Sequence, residues 1–376
     1  MRLFKPTLIF ISALALMGCL ETQTAPELDF VSSTEFKVDI ITSDLKHAWA
    51  VVELPDQSFL ITERSGKLYH VKNNIKVEIK GLPEDIMAEG QGGLLDIVLS
   101  PSFVETSEIF LSYAYGTLES NGTALFKASL ENDSLTKGKV VFRASPPKSA
   151  PQHFGGRIVF LPDETLILTL GDGFAFREDA QKLGTHIGKI VRLTQNGGTP
   201  QDNPFLGQSE FKPQIYSLGH RNVQGVAYDL ETNTLWAHEH GPRGGDELNS
   251  IRAGENYGWP IATKGTDYQG ARISPFETYE GMVDPIHNWT PSIAPSGLVI
   301  YRGNMFPQWN GDALVGALKS RDLRRVDIEK GQSVNEVDLI SDLNARIRDV
   351  RIANDGAILI LTDDPQKGQL IRLSAK

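Results

Sequence analysis

Apolar and polar residues alternate along this chain in short runs, each closed by Asp, Asn, Gly or Pro. LPDQSFLITERSGKLYHV from Leu54, LPDETLILTLGDG from Leu161 and LETNTLWAHEHG from Leu230 share one grammar. So do NGDALVGALKSRDLRRVDI from Asn310 and ANDGAILILTDDPQKGQLIRL from Ala353. Each reads as a polar turn, an alternating strand, a second turn and another short strand. A period of two puts every other side chain on one face, so these segments predict half-buried antiparallel strands. No long amphipathic helix with capping signals interrupts them. A hairpin unit recurring about every 50 residues predicts blades that bury their faces against one another. The expected fold is all-β, a six-bladed β-propeller over residues 36–376. The alternating segment from Phe36 to Thr42 is placed to close the ring by pairing with the last blade. A β-sandwich array is the alternative, but the spacing fits four-stranded blades better.

The N-terminus changes the picture only for location. Arg2 and Lys5 precede a short apolar run from Leu8 to Met17, and Leu16-Met17-Gly18-Cys19 follows. The run is too short to span a hydrocarbon core of about 30 Å. It predicts a lipoprotein signal peptide over residues 1–18, a lipidated Cys19 and a tether over 19–35. An ordinary signal that happens to contain a cysteine is the plainer alternative. Leu20, not Asp, follows Cys19, which favours the outer membrane, with the protein facing the periplasm of the bacterial cell envelope.

Cys19 is the one cysteine among 376 residues, so no disulfide staples the fold and no thiolate serves chemistry. A packed core must suffice, and the length allows one. Asp and Glu outnumber Lys and Arg by 47 to 37, which argues against nucleic acid as a partner. Neither GxGxxG after a strand nor GxxxxGK[ST] occurs.

Candidate chemistry gathers in loops. The segment from Gly219 to Pro260 holds GHRNVQG, HGPRGGDELN and NYGWP, dense in residues that fix unusual backbone angles. Gly90-Gln91-Gly92-Gly93 and Gln152-His153-Phe154-Gly155-Gly156-Arg157 are further clusters, as are the cations Lys319, Arg346 and Arg348. A loop histidine between glycines is open to a ligand and titrates in the range of a general base, although it could equally be a hydrogen-bonded loop residue. Arg346 and Arg348 alternate along a strand and share a face, which could also be a solvated strand edge. Lys319 has the same two readings, and Arg221-Asn222 could brace a turn. Gly241 and Pro242 carbonyls with Asp246, Glu247 and Tyr257 could offer oxygens to calcium, but the spacing matches no EF-hand loop.

Taken together, GQGGLL, HFGGR, GHRNVQG, HGPRGGDELN, NYGWP, ALKS and ARIRDV, in that order, resemble the quinoprotein family of soluble glucose, sorbosone and aldose sugar dehydrogenases. The resemblance is to the bacterial aldose sugar dehydrogenase type in particular and covers most of the chain after the tether. It implies a six-bladed propeller that holds pyrroloquinoline quinone (PQQ) and calcium and oxidises the anomeric carbon of aldoses to lactones. It further implies that His153 is the catalytic base and that Arg221 and Asn222 face the quinone oxygens. Gln91, Tyr268, Lys319, Arg346 and Arg348 would contact the cofactor. The main-chain oxygens of Gly241 and Pro242 would hold the cofactor calcium, and Glu247 and Tyr257 match a second calcium site. A cofactor with three carboxylates gives fixed cations a purpose in an acidic protein. Two departures stand out. Gln152 replaces an acidic residue that precedes the base in the glucose enzyme, and Ser320 follows Lys319 where glycine is common.

Two functions fit these residues. One is a PQQ- and calcium-dependent dehydrogenase passing electrons to a membrane or periplasmic acceptor. The other is a non-enzymatic propeller lipoprotein that binds carbohydrate or protein. A lactonase-type hydrolase lacks the side-chain metal ligands it would need.

Overall fold

The computed structural model describes residues 29–30 and 36–376. The signal segment, Cys19 and most of the tether lie outside the described residues. Six sheets form six blades. Their innermost strands are Ala48–Glu53, Leu94–Leu99, Ile158–Phe160, Val223–Asp229, Pro295–Ile300 and Ile347–Ile352. Each packs on the next and the last packs on the first, which closes the ring. Backbone hydrogen bonds also lock the ring: Phe36–Leu45 pairs antiparallel with Gly368–Ala375, so the sixth blade takes its outer strand from the N-terminal side of the propeller. Asp29–Phe30 adds a parallel strand to the outer edge of the fifth blade.

The alternation that predicted strands also builds the core. Six buried apolar clusters lie between blades, one per interface. In the first, Leu60 and Trp49 meet Leu94, Leu111 and Phe126. In the third, Val51 and Ile61 meet Leu359, Leu361 and Leu370, joining the last blade to the first. Both faces of each middle strand are covered, so Phe59–Glu63 and Ile358–Thr362 are buried throughout.

Antiparallel pairing fixes where function can sit. The start of an innermost strand and the turn between the second and third strands of the same blade lie at one end of the ring. At that end the innermost strands of five blades carry register shifts near their first residues. Such bulges re-aim side chains at barrel and propeller rims.

The channel is filled by charge rather than by apolar side chains. Arg157 donates to Asp349 (2.7 Å), and Arg351 donates to Asp349 (2.9 Å) and Asp96 (2.5 Å). Arg157 also stacks over the Trp49 ring at 4.0 Å. Side chains from four blades meet in this plug.

Candidate functional site

Above the plug opens a cavity of about 520 Å³. Gln91, Asn222, Arg346 and Arg348 line it, with Arg64, Arg321 and His47. Trp49, Leu95, Phe154 and Leu318 supply its apolar surface. These residues come from distant parts of the sequence, all from the end of the ring at which inner strands begin.

His153 sits just behind this wall, 5 % exposed and in left-handed backbone (φ 50°). Its N–H donates to Gln91 Oε1 (2.9 Å), and Gln91 N–H donates to the Pro151 carbonyl (2.8 Å). Its Nδ1 lies 2.6 Å from Asp172 Oδ1. The approach is possible because Gly171 lacks a side chain: a Cβ there would fall 2.1 Å from the His153 carbonyl. Burial raises the Asp172 carboxyl, but the hydrogen bond from His153, the charge of Arg221 and the Phe174 N–H more than offset this, and it stays ionised. Nδ1 therefore carries the proton, and Nε2 is left as the acceptor. Burial lowers the His153 pKa, with Arg221 and Lys148 acting in the same direction against Asp172.

Asp172 has a second task. Its Oδ2 accepts the Trp259 indole N–H (2.8 Å), and the Arg221 guanidinium lies over that indole at 5.3 Å. Arg221 Nη1 donates to the carbonyls of Gly241 (2.7 Å) and His240 (3.0 Å), and Nη2 donates to the Tyr268 hydroxyl (3.3 Å). Glu239 fixes the start of this turn by accepting the Arg221 N–H and His220 Nδ1. Asn222 Oδ1 accepts the Gly155 N–H at 3.2 Å, tying the Arg221 turn to the His153 loop.

The cations across the cavity are under-neutralised. Arg346 and Arg348 both reach Asp363 Oδ2, each at 3.2 Å, as expected of two residues on one face of a strand. The Nε atoms of Arg348 and Arg64 are buried without a partner among the described residues. Burial pushes Arg348 down to about 10, and Arg157 and Arg64 add to that push while Asp363 opposes it. An anion would relieve this strain.

The other predicted positions are less central. Lys319 and Arg321 are both exposed on the turn that follows Leu318, and Arg321 borders the cavity. Tyr268 stands exposed on the rim, where its ring stacks on Phe174 (6.4 Å). The Gly241 carbonyl already accepts Arg221, and Pro242 is buried beside it. Glu247 faces Glu239, and burial together with that charge pushes its carboxyl up to about 8. The Tyr257 hydroxyl is used within its own turn, donating to the Ser250 carbonyl and accepting the Arg252 N–H. No group of three or more His, Cys, Asp or Glu among the described residues is arranged to hold a metal.

Sequence reasoning assigned no role to Asp172, Trp259 or Asp363. Asp172 had a visible signal, a carboxylate between two glycines at a strand end. Asp363 had none, because its partners are 15 and 17 residues away on another strand.

Residues 45–372 match the family model described as Glucose / Sorbosone dehydrogenase. Aldose sugar dehydrogenase YliI of Escherichia coli is 40% identical over 347 residues, covering 90% of this chain and 93% of that protein. Quinoprotein glucose dehydrogenase B of Acinetobacter calcoaceticus is 27% identical over 416 residues, covering 88% and 86%. Among solved structures, the apo-form of the soluble Escherichia coli aldose sugar dehydrogenase superposes with a TM-score of 0.87, covering 91% of this chain and all of that one. The PQQ-bound aldose sugar dehydrogenase of Streptomyces coelicolor gives 0.74 at 25% identity, covering 93% of this chain and 100% of that one. The chain belongs to the glucose/sorbosone dehydrogenase family.

Proposed function

We propose that this family member is a PQQ-dependent aldose dehydrogenase in which His153 removes the proton from the anomeric hydroxyl of the sugar. The observation that carries the reading is the His153–Asp172 pair set against a cavity with more guanidinium than carboxylate. When bound, PQQ supplies an ortho-quinone that accepts hydride and three carboxylates that bring negative charge. The cavity residues fit such a group. Arg346, Arg348 and Arg64 offer fixed donors, two of them with unused Nε atoms, and Trp49 and Phe154 offer apolar surface for its rings. Asn222 lines the cavity and Arg221 lies behind it near His153, each held by its own hydrogen bonds, so they present donors without a large rearrangement. Asp172 keeps the imidazole in one tautomer and one orientation, and Nε2 takes the proton as the sugar is oxidised.

The chain's own atoms do not build a calcium cage. Gly241 and Pro242 offer two carbonyls where six to eight oxygens are usual, and Arg221 occupies one of them. Calcium therefore belongs to this proposal only as a partner of the cofactor's oxygens. The proposal also includes a lipid on Cys19, a place in the cell envelope facing the periplasm, and an electron acceptor there. Cys19→Ala should then move the protein from the membrane to the soluble fraction.

The test is reconstitution of the purified full chain with PQQ, with and without calcium, followed by dye reduction across a panel of aldoses. Turnover that requires PQQ supports the enzyme, and a gain in PQQ affinity with calcium supports the metal. His153→Ala should lower kcat by about 10²–10⁴-fold while PQQ still binds. A protein that binds sugar but reduces no dye with any aldose would be the non-enzymatic binder.

A further inference from the structure

Lys148 is buried (6 % exposed), yet no carboxylate lies within ion-pair distance of its ammonium among the described residues. Lysine seldom occupies such a place unless it is paired. Nζ donates to Asn121 Oδ1 (2.8 Å) and to the Ala150 carbonyl, and lies 3.7 Å from the centre of the Phe154 ring. The Lys148 and Asn121 backbones exchange two further bonds, of 2.7 and 2.8 Å. These partners bracket His153: Ala150 precedes it in the loop and Phe154 follows it.

The aliphatic stem touches the opposite turn. A Cβ on Gly173 would come within 2.3 Å of Lys148 Cδ, so the stem fills the space that glycine leaves next to Asp172. Head and stem together span the two turns whose side chains form the His153–Asp172 pair. We propose that Lys148 is a positioning residue of the site, locking the turn that carries His153 to the turn that carries Asp172 from outside the cavity.

An apolar side chain could fill the volume but could not donate to Asn121 and Ala150 together, nor place a positive charge there. The charged groups that face His153 are Asp172, Arg221 and Lys148. Asp172 favours the imidazolium and the two cations oppose it, so Lys148 helps keep the imidazole neutral and ready to accept a proton. Burial lowers the Lys148 pKa to about 7, with Asp172 opposing, so its charge is itself sensitive to the packing around it. The inference rests on the reading of His153 as the base, but its test does not depend on turnover.

The decisive variant is Lys148→Met in the full chain, which keeps a long stem and removes the ammonium. His153 is titrated by NMR in the unloaded protein, and the loaded protein is assayed for kcat, KM and PQQ affinity. The expected result is an upward move of the His153 midpoint. A fall in kcat of about tenfold or more should accompany it, with KM and PQQ affinity within about threefold of wild type. An unchanged His153 midpoint and unchanged kcat overturn the proposal, even if thermal stability falls. Should Lys148→Met fail to fold, Lys148→Gln removes the charge while keeping an N–H donor for Asn121 or Ala150. The His153 midpoint should again rise, and an unchanged midpoint overturns the proposal. If wild type oxidises no aldose, the proposed function fails, and the His153 titration still decides the role of Lys148.

Discussion

Two groups of charge sit one above the other in this propeller, a buried plug and a cavity lining in which Arg348 is buried and Arg346 is exposed, and they are built in opposite ways. In the channel plug, two guanidiniums face two carboxylates. Arg157 and Arg351 donate to Asp96 and Asp349, which also accept the N–H groups of Ile158 and Val51. Arg157 spends its remaining donors on the carbonyls of Gln224 and Arg348. In the cavity above, Arg346 and Arg348 share one carboxylate, and the Nε atoms of Arg64 and Arg348 have no partner among the described residues. Arg348 belongs to both: its carbonyl is held by the plug while its side chain enters the cavity. A buried charge whose partners are complete is part of the fold; one left short of partners is waiting for a ligand.

This contrast can be broken by experiment, and the largest effect is expected in the plug. Asp349→Ala leaves Arg157 and Arg351 without a main partner and should cost about 3–5 kcal/mol of stability, read from urea or thermal unfolding. Arg348→Met should do the reverse. The unloaded protein should be as stable as wild type or more so, because a buried, poorly paired charge is gone. PQQ affinity should fall by about 10–100-fold, the value of one or two charge-assisted hydrogen bonds, read by spectral titration. If Arg348→Met unfolds the protein as Asp349→Ala does, both groups are structural and Arg348 is not held for a ligand.

The two groups were also unequally legible in the sequence. The blades could be read because strand alternation and turn chemistry are local, and the closing strand from Phe36 extends the same pattern to Leu45. Arg346 and Arg348 could be placed on one face from their spacing alone. The plug could not be anticipated: Asp96, Arg157 and Asp349 are far apart in sequence, and each alone resembles an ordinary strand charge. Asp172 shows the same gap at the site, since its contact with His153 depends on how closely two turns approach across Gly171. Lys319 shows the converse. Its cation was visible in the sequence, but spacing alone did not show that Arg321, exposed on the same turn, also borders the cavity.

The smallest expected effect concerns His153, which lies between the two modes. It has one full partner in Asp172, but burial and the cations Arg221 and Lys148 outweigh that partner and lower its pKa. The unfolded chain, with an ordinary histidine pKa of about 6.5, therefore takes up the proton first as pH falls. The folded state loses the corresponding stability between that pH and the lowered value, and recovers none below it. In kcat/KM, which reports the free enzyme, the acid limb should fall below about 6.5, and the base form should persist into mildly acidic solution. An acid limb above that pH would mean that Asp172 governs the imidazole despite the burial. His153 would then behave as a member of a completed ion pair, like the plug, rather than as a neutral base held ready beside an unfilled cavity.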